Sequence, residues 1–436
     1  IAGSIYQWSK RLSGFTLGWF TGWFYFFAGV LTITAVAFTV PIPLLAIFPG
    51  IPATILGMNS PVFIALVSIV VGTIINIAGV RLMSIINNIG VVAEIIGMFL
   101  FALVLLIFFN HQPLSFLFTP SNVSPASLGG QWTPGLGDTY IGAFAAALFM
   151  SLFVIYGFDT AGTLGEETND PQRNAPRGVL WAIGLSAIAG VLFLGGTLLS
   201  INKLSDIEAI ASGANFTQTL PAIIQQALGT SWGNVYLGIV FIAVCVCTLA
   251  IQSATIRLMF SMGRDGRLPF GKIWGTVNPT FRTPMWAGIA VAVLSAIPFI
   301  YSQAIGVIVT GATGLIYVSY FLNNIASLGA RTRGWPRTKA PFSLGRWGML
   351  INTLALVYGG LMIINFLWFG GLRNIYTNPV MGTAFSSWSN IPVLGGTPIF
   401  EFSLVVLFVV GAIYWFGFKR RAVIAGGEKR AEALSD

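Results

Sequence analysis

The sequence predicts an all-α polytopic membrane protein, and three observations carry that reading. Hydrophobic residues fill 56% of the 436 positions and charged residues only 8%, whereas a soluble domain carries about a quarter charged residues. Ten apolar stretches are long enough to cross about 30 Å of hydrocarbon. Nearly all the cations then fall on one side of the resulting topology. A soluble enzyme, a disordered chain and a collagen-like fibre are excluded by composition, and the mean hydropathy of +0.84 agrees.

The stretches lie at about 15–40, 61–80, 86–109, 140–163, 178–201, 235–260, 284–301, 304–328, 348–369 and 400–418. The short alternating segments of a β-barrel are missing. Helices are then the way to satisfy the backbone in lipid. An even number of spans puts both ends on one side. Twenty of the 22 lysines and arginines fall on that side, and only Lys203 and Arg373 on the other. Cations collect on the cytoplasmic side. Both ends are therefore expected in the cytoplasm, with the chain threaded through the plasma membrane and the lipid bilayer as its surroundings. The net charge of +9 follows from this asymmetry, so no nucleic-acid partner is implied.

Between the spans, 110–139 and 370–399 are rich in Pro, Gly, Ser and Asn and read as external loops. Residues 205–229 have mild helical periodicity and read as an external amphipathic helix interrupted at Pro221. Cys245 and Cys247 are two residues apart in an apolar stretch, on different helix faces, so neither a disulfide nor a zinc site is expected. His111 is the single histidine and cannot build a metal cluster alone. No nucleotide-binding loop, zinc-protease motif or nucleophile elbow occurs. An enzyme or an ATP-driven pump is therefore not expected, nor any cofactor. The chain begins at Ile1 with no basic leader before a short apolar core, and an N-terminal piece is expected to be missing.

Charge inside a span marks candidate chemistry, because each such residue costs about 2.5–3.5 kcal/mol at a helix centre. Glu94 lies in the third stretch and Asp159 in the fourth. Both suit proton coupling or cation coordination. Glu94 could equally bond a neighbouring helix, and Asp159 could be an N-cap. Gly157 sits mid-span between Tyr156 and Phe158, where it permits an unwound backbone with free carbonyls and N–H groups. The run Glu166 to Arg177 mixes acids, cations and prolines. It reads either as a solvated loop or as a cytoplasmic gate, with Glu166, Glu167, Arg173 and Arg177 facing Lys10 or Arg11. The segment from Arg257 to Pro269 ends its helix at Gly266 and Pro269 and could serve topology alone.

Three motifs carry a resemblance. GFDTAGTLGEETNDPQRNAPR (157–177) resembles the sixth helix and following loop of the amino acid–polyamine–organocation (APC) transporters. RLMFSMGRDGRLP (257–269), with NPTFRTP (278–284), is similar to that family's loop after the eighth helix. AGSIYQWSKRLSG (2–14) followed by LGWFTGWF (17–24) resembles the exit of its second helix and its third helix. This last motif is closest to the amino acid/choline branch, which includes GABA permeases. The resemblance implies one transporter domain over 1–436 with a twelve-helix, five-plus-five inverted-repeat fold. The spans would then be helices three to twelve, with the first two missing apart from the end of the second around Ile1–Ile5. A piece of a longer protein explains this better than a defective paralogue.

The resemblance also assigns roles. Phe153, Tyr156 and Gly157 map to the broken sixth helix and should face the substrate, with Asp159 beside the break. Tyr25 and Gly29 map to pocket residues of the third helix. Glu94 stands where some proton-coupled relatives carry a lysine, so a protonatable carboxylate replaces a fixed ammonium. The implied activity is secondary transport of an amino acid or related amine by alternating access, with a proton coupled through Glu94 or Asp159. A non-transporting membrane sensor or subunit with the same fold is the alternative.

Overall fold

The computed structural model describes residues 3–118, 148, 151–163, 168–211, 216–301, 305–335, 341–367 and 399–420. Helices dominate. α1 (Ser4–Ser13) turns at Gly14 into α2 (Phe15–Thr39), followed by the short α3 (Pro41–Ile47). Two dipeptide strands, β1 (Thr54–Ile55) and β2 (Met58–Asn59), pair antiparallel around Leu56 and Gly57. Both turn residues have positive φ, as tight hairpins require. Next come α4 (Ser60–Ala78) and α5 (Val80–Ile95), which continues through a π-helical turn (Ile96–Leu100) into α6 (Phe101–Phe108). The fourth stretch is described as α7 (151–155) and α8 (Thr160–Thr163). Then follow α9 (Pro171–Leu199), α10 (Leu204–Ala211), α11 (Thr219–Arg264), α12 (Gly271–Trp274), α13 (Met285–Ala296), α14 (Pro298–Tyr301), α15 (Ile305–Thr332), α16 (Trp347–Leu367) and α17 (Ile399–Ala412), which runs on as a π segment (Ile413–Lys419).

Among the described residues, five helical segments are long and apolar enough to cross a membrane: Phe15–Ile47, Ser60–Ala78, Pro171–Leu199, Thr219–Arg264 and Trp347–Phe366. Their surface chemistry is that of a lipid-facing bundle. α9 exposes Leu180, Trp181, Leu185, Ile188, Val191 and Leu194, and α4 exposes Val67, Val70, Val71 and Ile74. In water such stripes would aggregate; in a bilayer they are the solvated surface.

Pro221 does not interrupt the external helix as the sequence suggests. It sits in the first turn of α11, buried, where its missing N–H would have had no intrahelical partner. The interruption comes at Gly229, with φ 73° and ψ 165°. It separates an outer helical piece from the long inner span.

The central element is α2, packed against α1, α4, α11, α13 and α15. It is apolar all round and buried along nearly its whole length, as a core membrane helix must be. Lipid is as apolar as leucine, so helix association in a bilayer relies on close packing and interhelical hydrogen bonds. Both are present. Thr34 Oγ1 donates to the Ser295 carbonyl of α13 at 2.7 Å. Gln252 of α11, fully buried, donates to the Ile69 carbonyl at 3.0 Å and to Thr73 Oγ1 at 3.2 Å on α4. Trp19 is fully buried, stacked on Trp23 at 5.0 Å and on Trp415 at 5.3 Å. Its indole N–H donates to the Arg267 carbonyl at 3.1 Å.

At the same end, Asp265 just after α11 binds α1. Lys10 Nζ lies 2.5 Å from its carboxylate, Tyr6 Oη donates at 2.8 Å and Gln7 Nε2 at 3.3 Å. Burial pushes the carboxyl up, but these donors and the Lys10 charge outweigh it and hold Asp265 below its usual value. The ionised form is therefore bound more tightly in the folded state. Its contribution is complete above the ordinary carboxylate range, about pH 4, and is lost as pH falls further.

Two outcomes follow for thermal melts in detergent. Trp19→Ala opens a void in a dry aromatic stack and should cost about 3–5 kcal/mol, with a clearly lowered Tm. Asp265→Asn removes the charge that Lys10 faces and should cost about 1–3 kcal/mol at neutral pH. That deficit against wild type should vanish in acid; a deficit equal at pH 7 and pH 3 would contradict the assignment.

Candidate functional site

The site begins with a helix that stops and restarts. α7 makes its last helical bond from the Tyr156 N–H to the Leu152 carbonyl at 3.1 Å. Gly157 then takes φ +90°, a conformation that L side chains rarely adopt. Thr160 N–H bonds the Gly157 carbonyl at 2.9 Å and Gly162 N–H the Asp159 carbonyl at 2.9 Å as the chain re-enters helix. The glycine is thus required by the backbone and not by packing: a Cβ added there would meet nothing.

The break is held by phenols from two other helices. Tyr320 Oη of α15 accepts the Gly157 N–H at 3.0 Å and donates to Asp159 Oδ1 at 2.7 Å. Tyr25 Oη of α2 donates to Asp159 Oδ2 at 2.7 Å. Asp159 is only 2% exposed, so both its oxygens are satisfied by neutral donors inside the bundle. An N-cap was the alternative reading of Asp159. Asp159 stands just before α8, yet its carboxylate reaches across to α2 and α15. A third tie comes from Thr32, whose hydroxyl donates to the Ala28 carbonyl at 2.7 Å and lies 2.7 Å from Tyr156 Oη. Thr32 has one proton, already given to Ala28, so Tyr156 is the donor.

A cavity of about 480 Å³ opens against this break, within the range of small-molecule sites. Tyr25, Gly29, Phe153, Tyr156, Gly157 and Glu94 all line it. Phe153 and Tyr156 meet edge to face at 5.2 Å and 88°. Gly29 has no room to be anything larger, because a Cβ would stand 2.5 Å from Thr255 Oγ1 on α11. Glu94 comes from α5 and is half-buried. Among the described residues no lysine or arginine pairs with it. Asp159 lies behind the cavity wall, reached through Tyr25.

Of the expected gate residues, Lys10, Arg11, Arg173 and Arg177 are described. Lys10 is taken by Asp265. Arg11, exposed, borders a second cavity of about 890 Å³ with Trp8, Gly162, Pro171 and Pro176. Arg173 is exposed and 3.8 Å from Asp170 of its own turn, an arrangement of little energetic weight. Arg177 is exposed. Glu166 and Glu167 lie outside the described residues. The described residues hold no group of three or more His, Cys, Asp or Glu able to take a metal.

Sequence reasoning missed Tyr320, Thr32 and Asp265. Tyr320 sits in an apolar span where nothing marks it from its neighbours. Asp265 was visible within GRDGR and was read as part of a topological signal. Its partners are about 255 residues away in sequence.

Comparison with known proteins places the chain in a family. The family model for amino acid permeases matches residues 1–397. The chain is 26% identical over 388 residues to the amino-acid permease BAT1 of Arabidopsis thaliana, covering 82% of this chain and 71% of that one. It is 24% identical to the branched-chain amino acid permease BcaP of Bacillus subtilis, over 68% of this chain and 60% of the relative. It is 26% identical to the low-affinity putrescine importer PlaP of Escherichia coli, over 71% and 64% respectively. A multi-pass helical chain, with a cavity built around an interrupted helix and a family match over most of its length, belongs to the amino acid permease family and is a transporter, not an enzyme.

Proposed function

We propose that the protein moves an amino acid or related amine across the plasma membrane by alternating access, as a secondary transporter with a five-plus-five inverted repeat. The observation that carries this reading is the helix break at Gly157 on the wall of an aromatic-lined cavity. An interrupted helix inside a bundle offers carbonyls and N–H groups that an uninterrupted one uses up. Phe153 and Tyr156 supply apolar and π surface, and their edge-to-face contact fixes the shape of one wall. The ammonium of a substrate sits at the freed carbonyls, and its side chain extends along the aromatic wall. Both chain ends are placed in the cytoplasm, supported by the one-sided distribution of lysine and arginine.

Coupling to a proton runs through Asp159. Its ionised carboxylate accepts from two phenols. A protonated carboxyl keeps acceptor capacity on one oxygen and turns the other into a donor, so one phenol must reorient. Protonation is thereby linked to the contact between α2, α15 and the break. Glu94, facing the cavity, is the other group able to carry a proton. The Lys10–Asp265 pair closes the cytoplasmic end, alongside the gate expected of Glu166, Glu167, Arg173 and Arg177 with Lys10 and Arg11.

Uptake of radiolabelled amino acids and amines into proteoliposomes, under an imposed gradient acidic outside, tests the reading. Accumulation raised several-fold by the gradient is expected. Asp159→Asn should leave substrate binding measurable and make uptake indifferent to pH. Wild-type uptake that ignores the gradient would remove the proton, and no uptake of any amine or amino acid would remove the transport mechanism.

A further inference from the structure

We propose that Glu94 receives a cationic group of the ligand, so that the cavity selects amines carrying a second positive charge over their neutral isosteres. This rests on the reading of the cavity as the substrate site and names the chemistry it prefers. Among the described residues that line the cavity, Glu94 is the one acidic side chain, and no lysine or arginine stands with it. Its place there follows from helical spacing. Asn87, Val91 and Glu94 are four and three residues apart on α5 and share one face, and all three line the cavity.

The surroundings offer Glu94 no counter-charge. The described residues contain two salt bridges, Lys10–Asp265 and Arg173–Asp170, and neither involves it. Its neighbours on the wall include Val91, Val246 and Ala250. An uncompensated carboxylate in such a setting is costly, and a ligand that brings its own cation relieves that cost. The aromatic lining agrees. Tyr25, Phe153 and Tyr156 also line the cavity, and the face of an aromatic ring attracts a cation. The Gly157 N–H, a natural anion donor at a broken helix, already bonds Tyr320, so a carboxylate would have to displace that contact. The π-helical turn at Ile96–Leu100 begins two residues after Glu94. Such turns interrupt regular helical packing and recur at functional positions. The picture is of a ligand spanning the cavity, one ammonium at the helix break and the second on Glu94.

Two isosteric pairs test this with the purified full chain in detergent, by isothermal titration or scintillation proximity. They are lysine against norleucine and putrescine against butylamine, each pair differing by one ammonium. Wild type should prefer the doubly cationic member by about tenfold or more, the size of one charge-assisted contact. Glu94→Gln should erase the preference by lowering affinity for lysine and putrescine about tenfold or more, and Glu94→Asp should retain part of it. If Glu94→Gln fails to fold, the wild-type ratios decide alone. Equal affinity within both wild-type pairs, or a preference that survives Glu94→Gln, overturns the assignment of Glu94 while leaving the substrate site in place. Binding of none of the four ligands overturns both.

Discussion

A carboxylate buried among helices with two phenols on its two oxygens is the constraint on which the rest of this structure depends. Asp159 is almost wholly removed from solvent. A charge in that position must be satisfied or it destabilises the bundle. Tyr25 and Tyr320 satisfy it from α2 and α15, the two helices that pack against each other most extensively among the described residues. Tyr320 additionally takes the Gly157 N–H. One phenol therefore serves both the buried acid and the broken backbone, and the break cannot shift without disturbing the acid. A cavity walled by an unwound helix is otherwise a weak point, because orphaned backbone groups in a membrane interior cost several kcal/mol each. Here the weak point is pinned from two sides.

The second organising feature lies toward the basic end. Asp265 gathers Tyr6, Gln7 and Lys10 from α1, while Arg267, two residues on, offers its carbonyl to Trp19 of α2. The end of α11 is thus tied to α1 and α2 at once. Any movement of α11 relative to α2 must break or carry these contacts. The close approach of Gly29 to Thr255 sits on the same pair of helices, nearer the cavity. A tight, hydrogen-bonded latch at one end and a glycine contact beside the site make α2 against α11 a surface on which sliding has discrete rather than continuous positions.

Much of this was legible in the sequence, for physical reasons that differ by residue. Apolar runs report the bilayer itself, so the multi-pass helical character was legible, while the expected ten spans compare with five long apolar segments among the described residues. Gly157 was legible because a glycine in mid-span permits an unwound backbone, and Asp159 because charge in a span is costly. Tyr25, Gly29, Phe153 and Tyr156 came through family resemblance, and Glu94 through its charge; the structure brings all of them with Gly157 to one cavity. What was not legible is long-range pairing. That Asp159 bonds Tyr320, or that Lys10 meets Asp265, is a statement about residues well over a hundred positions apart, and local pattern carries no such information. Pro221 shows the complementary limit. A proline signals a helix boundary, but whether it ends one helix or begins the next depends on which N–H groups are left unpartnered.

A double-mutant cycle on the two phenols measures the central linkage most directly. Substrate affinity is determined for wild type, Tyr25→Phe, Tyr320→Phe and the double variant. If both tyrosines act through Asp159, each single change should weaken binding, and the double should fall short of or exceed the sum by about 0.5–3 kcal/mol, as directly coupled groups do. Strict additivity, or affinities unmoved by either substitution, would contradict the claim that a shared carboxylate holds the broken helix in its binding-competent form.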